Sequence, residues 1–164
     1  MIFHVVDTNV AIVANVQSPQ AGPECVVACV DVLQYIYDAG VVVIDDGMRI
    51  IREYMDNLSL SGQPGPGDAF MKWVWHNQAN DDRCERVHLT EDGSREFEEF
   101  PDDPRLECFD KSDRKFVAVA LTSRNHPEIL NAVDSDWWDY REAFAGCGIK
   151  VKFLCPSQFT NHKE

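Results

Sequence analysis

Short apolar runs alternate with amphipathic stretches along most of the chain. Four apolar, largely β-branched runs predict buried strands: residues 2–6, 41–44, 129–133 and 148–155. Apolar residues recur at helical spacing over residues 24–38 and 48–58, and a further helix is expected to start at Asp68, with that residue as its cap. This order predicts an α/β fold with a mostly parallel central sheet. We expect one domain over residues 1–164.

Two segments interrupt the alternation. Residues 60–67 read LSGQPGPG, and their glycines and prolines predict an irregular loop. Residues 84–104 hold a short alternating run, a turn signal at Glu91-Asp92-Gly93 and a second apolar run. This pattern predicts a small hairpin excursion.

Aspartates follow three of the four predicted strands, at Asp7, Asp45 and Asp134. The carboxyl ends of parallel strands lie at one edge of a sheet, so this placement favours a shared polar site. Thr8 and Asn9 come directly after Asp7 and could orient its carboxylate or bond nearby backbone. The alternative is that Asp7 only caps the helix that follows.

The sequence around Asp113 predicts a carboxylate that faces inward. If a helix starts near Ser112, Asp113 shares one face with Phe116, Val117, Ala120 and Leu121. A buried charge is costly unless it is paired, protonated or bound to metal. The alternative is an ordinary carboxylate favoured by the helix dipole, with Asp110 as the cap.

Two other acidic positions give weaker signals. Glu53 lies on the flank of the helix predicted over residues 48–58, where a surface glutamate is the ordinary interpretation. Asp134 and Asp136 both follow the strand at residues 129–133. We expect Asp134 to be a ligand and Asp136 to be a helix cap or an outer ligand.

The net charge of −13 opposes loose binding to nucleic acid, because phosphate contacts need lysine and arginine. Residues 91–113 carry much of this excess, with ten acidic against three basic side chains. Basic residues nevertheless gather around Asp113, at Lys111, Arg114, Lys115 and Arg124. They predict either a local patch for phosphate or a solvated helix face.

The six cysteines include no C-x-x-C pair, and the first residues lack the pattern of a signal peptide. We therefore expect reduced thiols, mostly filling the core, in a cytoplasmic protein. The apolar runs are too short to cross a bilayer, so no membrane association is expected.

Taken together, the acidic residues resemble those of the PIN-domain nucleases in order and local sequence. The matching segments are residues 6–9 (VDTN), 53–54 (EY), 112–120 (SDRKFVAVA) and 133–137 (VDSDW). Residues 151–159 are similar to the last strand and turn of that family, so the resemblance covers nearly the whole chain. It implies a three-layer α/β/α sandwich. The chain departs from compact toxin-like members in its excursion at residues 84–110 and in its negative charge.

The resemblance also implies a function, an endoribonuclease that uses one or two Mg²⁺ or Mn²⁺ ions. Its catalytic residues would be Asp7, Glu53, Asp113 and Asp134. The metal ligands would be Asp7, Asp113, Asp134 and Asp136, with Glu53 orienting the attacking water. The residues that position RNA would be Thr8, Asn9, Arg114 and Lys115. Exchange of Asp7 or Asp113 for Asn is expected to abolish Mg²⁺-dependent cleavage and to leave the fold intact or even more stable, because repulsion is relieved. Toxin members of the family imply an antitoxin protein as partner, and a homodimer.

Two alternatives use other chemistry. A catalytically degenerate domain of the same fold would serve only as a binding partner. A phosphatase with an aspartate nucleophile, similar to the haloacid dehalogenases, would need a second Asp two residues after the first, where this chain has Asn9. A receiver-type signalling domain fits less well, because paired acidic residues near the chain start are missing.

Overall fold

The computed structural model describes residues 2–160. In this range the strands are β1 (Ile2–Val6), β2 (Gly40–Asp45), β3 (Cys84–Val87), β4 (Glu91–Asp92), β5 (Glu96–Phe97), β6 (Glu128–Asn131) and β7 (Val151–Phe153). The helices are α1 (Thr8–Ala14), α2 (Pro23–Ala39), α3 (Arg49–Asn57), α4 (Pro66–Asn77), α5 (Arg114–Thr122), α6 (Ser135–Asp139), α7 (Arg141–Gly146) and α8 (Ser157–Thr160). Single 3₁₀ turns cover Pro104–Leu106 and Lys111–Asp113.

Five strands form one parallel sheet in the order β3-β2-β1-β6-β7. The chain moves outward from β1 to β3, then returns through α5 to β6 on the other side of β1. Since parallel crossovers are right-handed, this reversal places α1–α4 on one face of the sheet and α5 on the other. Helices α1, α2 and α4 pack on one another, and α5 packs on β1, β2 and β6. The predicted three-layer α/β/α sandwich is therefore confirmed.

The core lies where helices cover both faces of the sheet. Every residue of β2 is buried, which explains why this strand is a continuous run of Val and Ile instead of an alternating one. The end of β1 is equally covered, so Val5 and Val6 carry Asp7 into the interior. Phe116, Val117 and Val119 of α5 are also completely buried.

All four predicted strands are present, although β7 is shorter than the run at residues 148–155. The fifth strand was missed. Residues of β3 pair in parallel with β2, from Cys84 beside Val42 to Val87 beside Asp45. As an edge strand, β3 is half exposed and alternates, so it resembled one arm of a hairpin. The predicted excursion is confirmed in reduced form, as the two-residue strands β4 and β5.

Helix α4 begins at Pro66, two residues before the predicted start. Asp68 is therefore not its cap. The Asp68 carboxylate instead accepts hydrogen bonds from the backbone N–H of Gly65 (3.0 Å) and of Ser59 (2.7 Å). It closes the preceding loop onto the first turn of the helix.

The prediction that all cysteines are reduced thiols is wrong for one pair. Cys25 in α2 and Cys155 after β7 form a disulfide, which spans 130 positions of sequence. Spacing along the chain gave no sign of this, because only the sheet brings the two segments together. Within residues 2–160, none of the helices is long and apolar enough to cross a membrane.

Candidate metal centre

The strand order reverses between β1 and β6, and the carboxyl ends of these two parallel strands lie side by side. Such a reversal is where ligands bind in open α/β sheets, because the helices that follow diverge to opposite faces. Asp7 lies at the end of β1, and its backbone N–H donates to the Leu130 carbonyl of β6 (3.1 Å). Asp134 follows β6 and caps α6. The two aspartates thus follow the ends of adjacent strands.

Asp113 completes a cluster with these two residues, which we term the acidic centre. The carboxylates of Asp7, Asp113 and Asp134 each offer an oxygen, and the three oxygens all lie within 4.8 Å of one another. Asp113 is brought there by the turn Lys111–Asp113, which leads into α5. Asp110 holds that turn by accepting from the Ser112 N–H (3.1 Å), as predicted for a cap.

Three donors fix the carboxylate of Asp7. One oxygen accepts from the Asn9 backbone N–H (2.9 Å) and the Asn9 side-chain amide (2.7 Å), and the other accepts from the indole N–H of Trp137 (2.8 Å). The Asn9 backbone bond makes Asp7 the N-cap of α1, so the capping interpretation is correct alongside the ligand interpretation. Asp7 is thereby buried in one orientation beside the other two carboxylates.

Asn9 and Asn131 tie the two strand ends together. The Asn9 amide N–H₂ also donates to the Asn131 side chain (2.7 Å), and the Asn9 amide oxygen accepts from the Ala132 N–H (2.8 Å). The completely buried Asn131 in turn donates to the Asp134 carbonyl (3.1 Å). Asn9 therefore orients the acidic centre, as one sequence interpretation held, and it is not free to position RNA. Sequence reasoning missed Asn131 and Trp137, although a polar residue closing the apolar strand β6 is a usable signal.

Glu53 lies beside the acidic centre, outside the group of three. Its carboxylate accepts from the Thr8 hydroxyl and from the Lys115 ammonium, the latter at 2.7 Å. Helix α3 is held over the end of β1 because the Tyr54 hydroxyl donates to the Val6 carbonyl (2.5 Å). Thr8 therefore orients Glu53, and its predicted role in positioning RNA stays a prediction.

Burial, together with the charges of neighbouring carboxylates, raises the pKa of all three carboxyls of the acidic centre. Burial raises the pKa of Asp7 to about 7, against the hydrogen bonds from Asn9 and Trp137, with the charges of Glu53 and Asp134 adding to the rise. Burial, then the charges of Asp7 and Asp134, raise the pKa of Asp113 to about 8. Burial also raises the pKa of Asp134. The protein around these groups therefore leaves their negative charge undercompensated.

This donor set suits a hard divalent cation. The three side chains offer oxygen only, which favours Mg²⁺ or Mn²⁺ over metals that prefer nitrogen or sulfur. The raised pKa values of Asp7 and Asp113 indicate that little positive charge lies near these carboxyls. A bound cation would supply it. The residues present thus fit the metal that the sequence predicts.

Two other acidic residues do not join the acidic centre. Asp136 lies in the first turn of α6, where its N–H donates to the Asp134 carboxylate (3.0 Å), so the cap is Asp134 and not Asp136. The Asp136 carboxylate is not one of the three clustered groups and acts on Asp134 only through its charge. Asp45 is buried and accepts from the N–H groups of Arg49 and Ile50, which fixes the start of α3.

Arg114 was predicted to position RNA, and this prediction is wrong. Its side chain is buried, and its guanidinium donates to the carbonyls of Glu107 (2.9 Å) and Phe109 (2.9 Å). It also stacks over Phe100, 4.6 Å from the ring centre. Arg114 therefore anchors the segment before α5. Its guanidinium has five N–H donors and can bind several backbone carbonyls that lie outside helices and strands.

A groove of about 610 Å³ lies between α3, the β4–β5 hairpin and the turn before α5, and its wall includes Ser112, which precedes Asp113 in the chain. Four basic side chains line it, and we term it the basic groove: Arg49, Arg52, Lys111 and Lys115. Glu91, Asp92 and Glu96 of the hairpin form part of the opposite wall. Arg49 pairs with Glu91 (3.0 Å), and Lys115 pairs with Glu53 (2.7 Å). Arg52 and Lys111 are exposed to solvent.

Comparison of the chain with family models, with curated proteins and with solved structures returned no match.

Proposed function

We propose that this protein is a Mg²⁺- or Mn²⁺-dependent ribonuclease of the PIN type, which hydrolyses phosphodiester bonds at the acidic centre. The observation that carries the proposal is the convergence of Asp7, Asp113 and Asp134, whose oxygens lie within 4.8 Å of one another although the residues are far apart in sequence. Coulomb repulsion between such close carboxylates reaches a few kcal/mol at an effective dielectric of about 20. Close carboxylates that destabilise the fold in this way are typical of a site that binds a cation.

When bound, a divalent cation would lower the pKa of a water molecule that it holds and would stabilise negative charge on the phosphate. Asp7 and Asp134 would hold it from the two strand ends, and Asp113 from the start of α5. Asp7 needs no rearrangement, because Asn9 and Trp137 already fix it. This preorganisation favours catalysis, since the ligands are in place before substrate arrives.

Glu53 would orient the attacking water and accept its proton. Thr8 binds one of its oxygens, and Lys115 binds the other at 2.7 Å, so the carboxylate has a fixed position at the margin of the acidic centre. The same Lys115 also donates to the Ser112 carbonyl and lines the basic groove, and its third N–H would be placed on the substrate phosphate. Lys115 would therefore contact both the substrate phosphate and Glu53, the residue that would accept the proton.

The basic groove would guide the RNA strand despite the net charge of −13. Its exposed cations, Arg52 and Lys111, would contact phosphates next to the one that is cut. The acidic hairpin on the opposite wall would repel a wide duplex and favour a single strand. We propose RNA as the substrate because of the family resemblance. We propose that this RNA is single-stranded because of the acidic hairpin.

The resemblance supports three further parts of the proposal. A small antitoxin protein would block the groove, the chain would form a homodimer, and the enzyme would work in the cytoplasm. A reducing cytoplasm would open the disulfide between Cys25 and Cys155.

The test is cleavage of a labelled single-stranded RNA with Mn²⁺, with Mg²⁺ and with EDTA, by the natural protein and by Asp113→Asn. We expect metal-dependent cleavage that EDTA and the substitution both abolish. Cleavage by Asp113→Asn at the natural rate would overturn the proposal. Weak Mn²⁺ binding without cleavage would favour the degenerate binding domain instead.

A further inference from the structure

Three cysteine sulfurs meet where the start of α2 lies against the segment after β7. We term this group the sulfur cluster. Cys25 and Cys29 lie one turn apart on α2, and Cys155 follows β7; their three sulfurs all lie within 4.8 Å of one another. Residues four apart share a helix face, which explains why both helical sulfurs lie close to Cys155. The nuclease function uses none of these residues.

The disulfide alone does not account for the third sulfur. Cys25 and Cys155 are bonded, with Cα atoms 5.2 Å apart, whereas Cys29 beside them is a free thiol. Cys29 is completely buried and could be a small apolar residue filling space, which is the ordinary role of such a cysteine. Its sulfur nevertheless lies close enough to the other two to share one ion with them once the disulfide is opened.

A route to these sulfurs exists. A cavity of about 550 Å³ between the start of α2 and residues 154–158 has Cys25 and Cys155 in its wall. The cavity therefore leads from solvent to the two disulfide residues, which are 5% and 4% exposed, whereas Cys29 is completely buried. Cys25 also belongs to the first turn of the 17-residue helix α2, after Gly22 and Pro23. The positive end of a helix stabilises a thiolate at such a position.

We propose that the sulfur cluster is a redox-gated binding site for a thiophilic d¹⁰ cation such as Zn²⁺ or Cu(I). A dithiol reductant gives two electrons and two protons to the bond between Cys25 and Cys155, and is itself oxidised to a disulfide. The cation then displaces the protons of the three thiols to solvent and is held by three thiolates. When the cation leaves, a disulfide oxidant takes two electrons from the Cys25 and Cys155 thiolates and two protons from solvent. The bond between these two cysteines forms again, and Cys29 regains its proton from solvent.

The two candidate centres of this chain would take different ions. The acidic centre offers hard oxygen ligands, and the sulfur cluster offers soft sulfur ligands, so Mg²⁺ and Mn²⁺ favour the first and Zn²⁺, Cu(I) and Cd²⁺ favour the second. This difference allows each centre to be tested while the other is unchanged.

The probe is Cd²⁺, whose thiolate complexes absorb in the ultraviolet by charge transfer. Protein reduced and desalted without oxygen is titrated with Cd²⁺, and we expect the absorption to saturate at one ion per chain and to fall on addition of Zn²⁺. Oxidised protein should give no such band. The Cys29→Ser variant should lose the stoichiometric band. Two controls should keep it: Cys84→Ser, which removes a buried thiol on β3, and Asp113→Asn, which alters only the acidic centre.

A second measurement avoids substitutions that could disturb folding. Reduced natural protein is alkylated with and without Cd²⁺, and the modified cysteines are identified by mass spectrometry. We expect Cd²⁺ to protect Cys25 and Cys155, which line the cavity, and to leave the exposed Cys108 reactive; the completely buried Cys29 is tested by the Cys29→Ser variant. The proposal fails if reduced protein gives no stoichiometric band, if Cys29→Ser binds like the natural protein, or if Cd²⁺ protects no member of the sulfur cluster.

Discussion

The indole N–H of Trp137 donates to the carboxylate of Asp7 at 2.8 Å, across 130 positions of sequence. Both side chains are buried, and Trp137 packs edge-on against Phe109, so the aromatic core holds the donor rigid. Burial raises the pKa of the Asp7 carboxyl, and the bond from Trp137 acts in the opposite direction because it favours the ionised form. The packing of the core and the charge of the acidic centre are thus physically coupled.

Replacement of Trp137 by Phe should therefore weaken metal binding near neutral pH. Removal of the indole donor raises the pKa of Asp7 further, so a larger fraction is protonated and must lose its proton before it can bind a cation. Calorimetric titration with Mn²⁺ should show a loss of affinity at pH 6.5 that becomes smaller at pH 8.5. A loss that does not change with pH would indicate altered packing alone.

The matched control is Trp138→Phe. Trp138 stacks on Phe159 (ring centres 5.0 Å apart) and on Arg141, away from Asp7. Its exchange should change stability and leave the pH dependence of Mn²⁺ binding as it is in the natural protein.

Asp113→Asn and Asp7→Asn should have opposite effects on stability, although both abolish cleavage. Among residues 2–160, no amide or hydroxyl group donates to the Asp113 carboxylate, so neutralising it relieves repulsion and should raise stability by about 1 kcal/mol without metal. Asp7 accepts from three donors. Asn has a single acceptor oxygen, so Asp7→Asn should lower stability by about 1–3 kcal/mol. Urea unfolding in EDTA measures both, and equal shifts of the same sign would contradict the assigned contacts.

The metal-free protein should lose stability as the pH rises. The folded pKa values of Asp7 (about 7) and Asp113 (about 8) lie above the ordinary value of 3.8. These carboxyls are then protonated in the folded chain and ionised in the unfolded chain, so their contribution is present below about pH 4 and is lost progressively up to pH 8. Thermal unfolding in EDTA should show a steeper decline over this range than the same series for Asp113→Asn. Mn²⁺ should reverse the decline at pH 8, because the ion replaces the protons.

Charge reversal in the basic groove should impair substrate binding more than catalysis. For Arg52→Glu combined with Lys111→Glu, we expect KM for RNA to rise by roughly tenfold with little change in kcat, and the slope of log K against log salt to fall by about 1 for each lost contact. The control is Lys150→Glu, an exposed lysine that precedes β7 at the opposite, amino-terminal edge of the sheet. If the control raises KM equally, the effect reflects net charge and not the groove.

The sequence predicted the sheet and the acidic residues because both depend on local signals. Buried parallel strands are continuous runs of Val and Ile, and residues that follow them gather at one edge of the sheet, which explains how Asp7 and Asp134 were identified. Asp113 was identified because it shares a helix face with apolar residues. The prediction of β3 as a hairpin arm failed because an edge strand and a hairpin arm alternate alike.

The remaining site residues depend on contacts between distant segments. Asn131 and Trp137 contribute through single hydrogen bonds to residues more than a hundred positions away, and nothing in their own neighbourhood indicates those partners. Arg114 was misplaced for the opposite reason. Its position next to Asp113 suggested a phosphate contact, but the carbonyls of residues 106–109 bind it from within the fold.

The location of a bound ion is the most direct test of the central claim, that three distant carboxylates form one metal centre. Crystals soaked in Mn²⁺ give an anomalous difference map at the manganese edge. We expect a peak between the carboxylates of Asp7, Asp113 and Asp134, with bond lengths typical of oxygen ligands, and no peak there in crystals of Asp113→Asn. Manganese bound only elsewhere, with these three carboxylates empty, would contradict the claim.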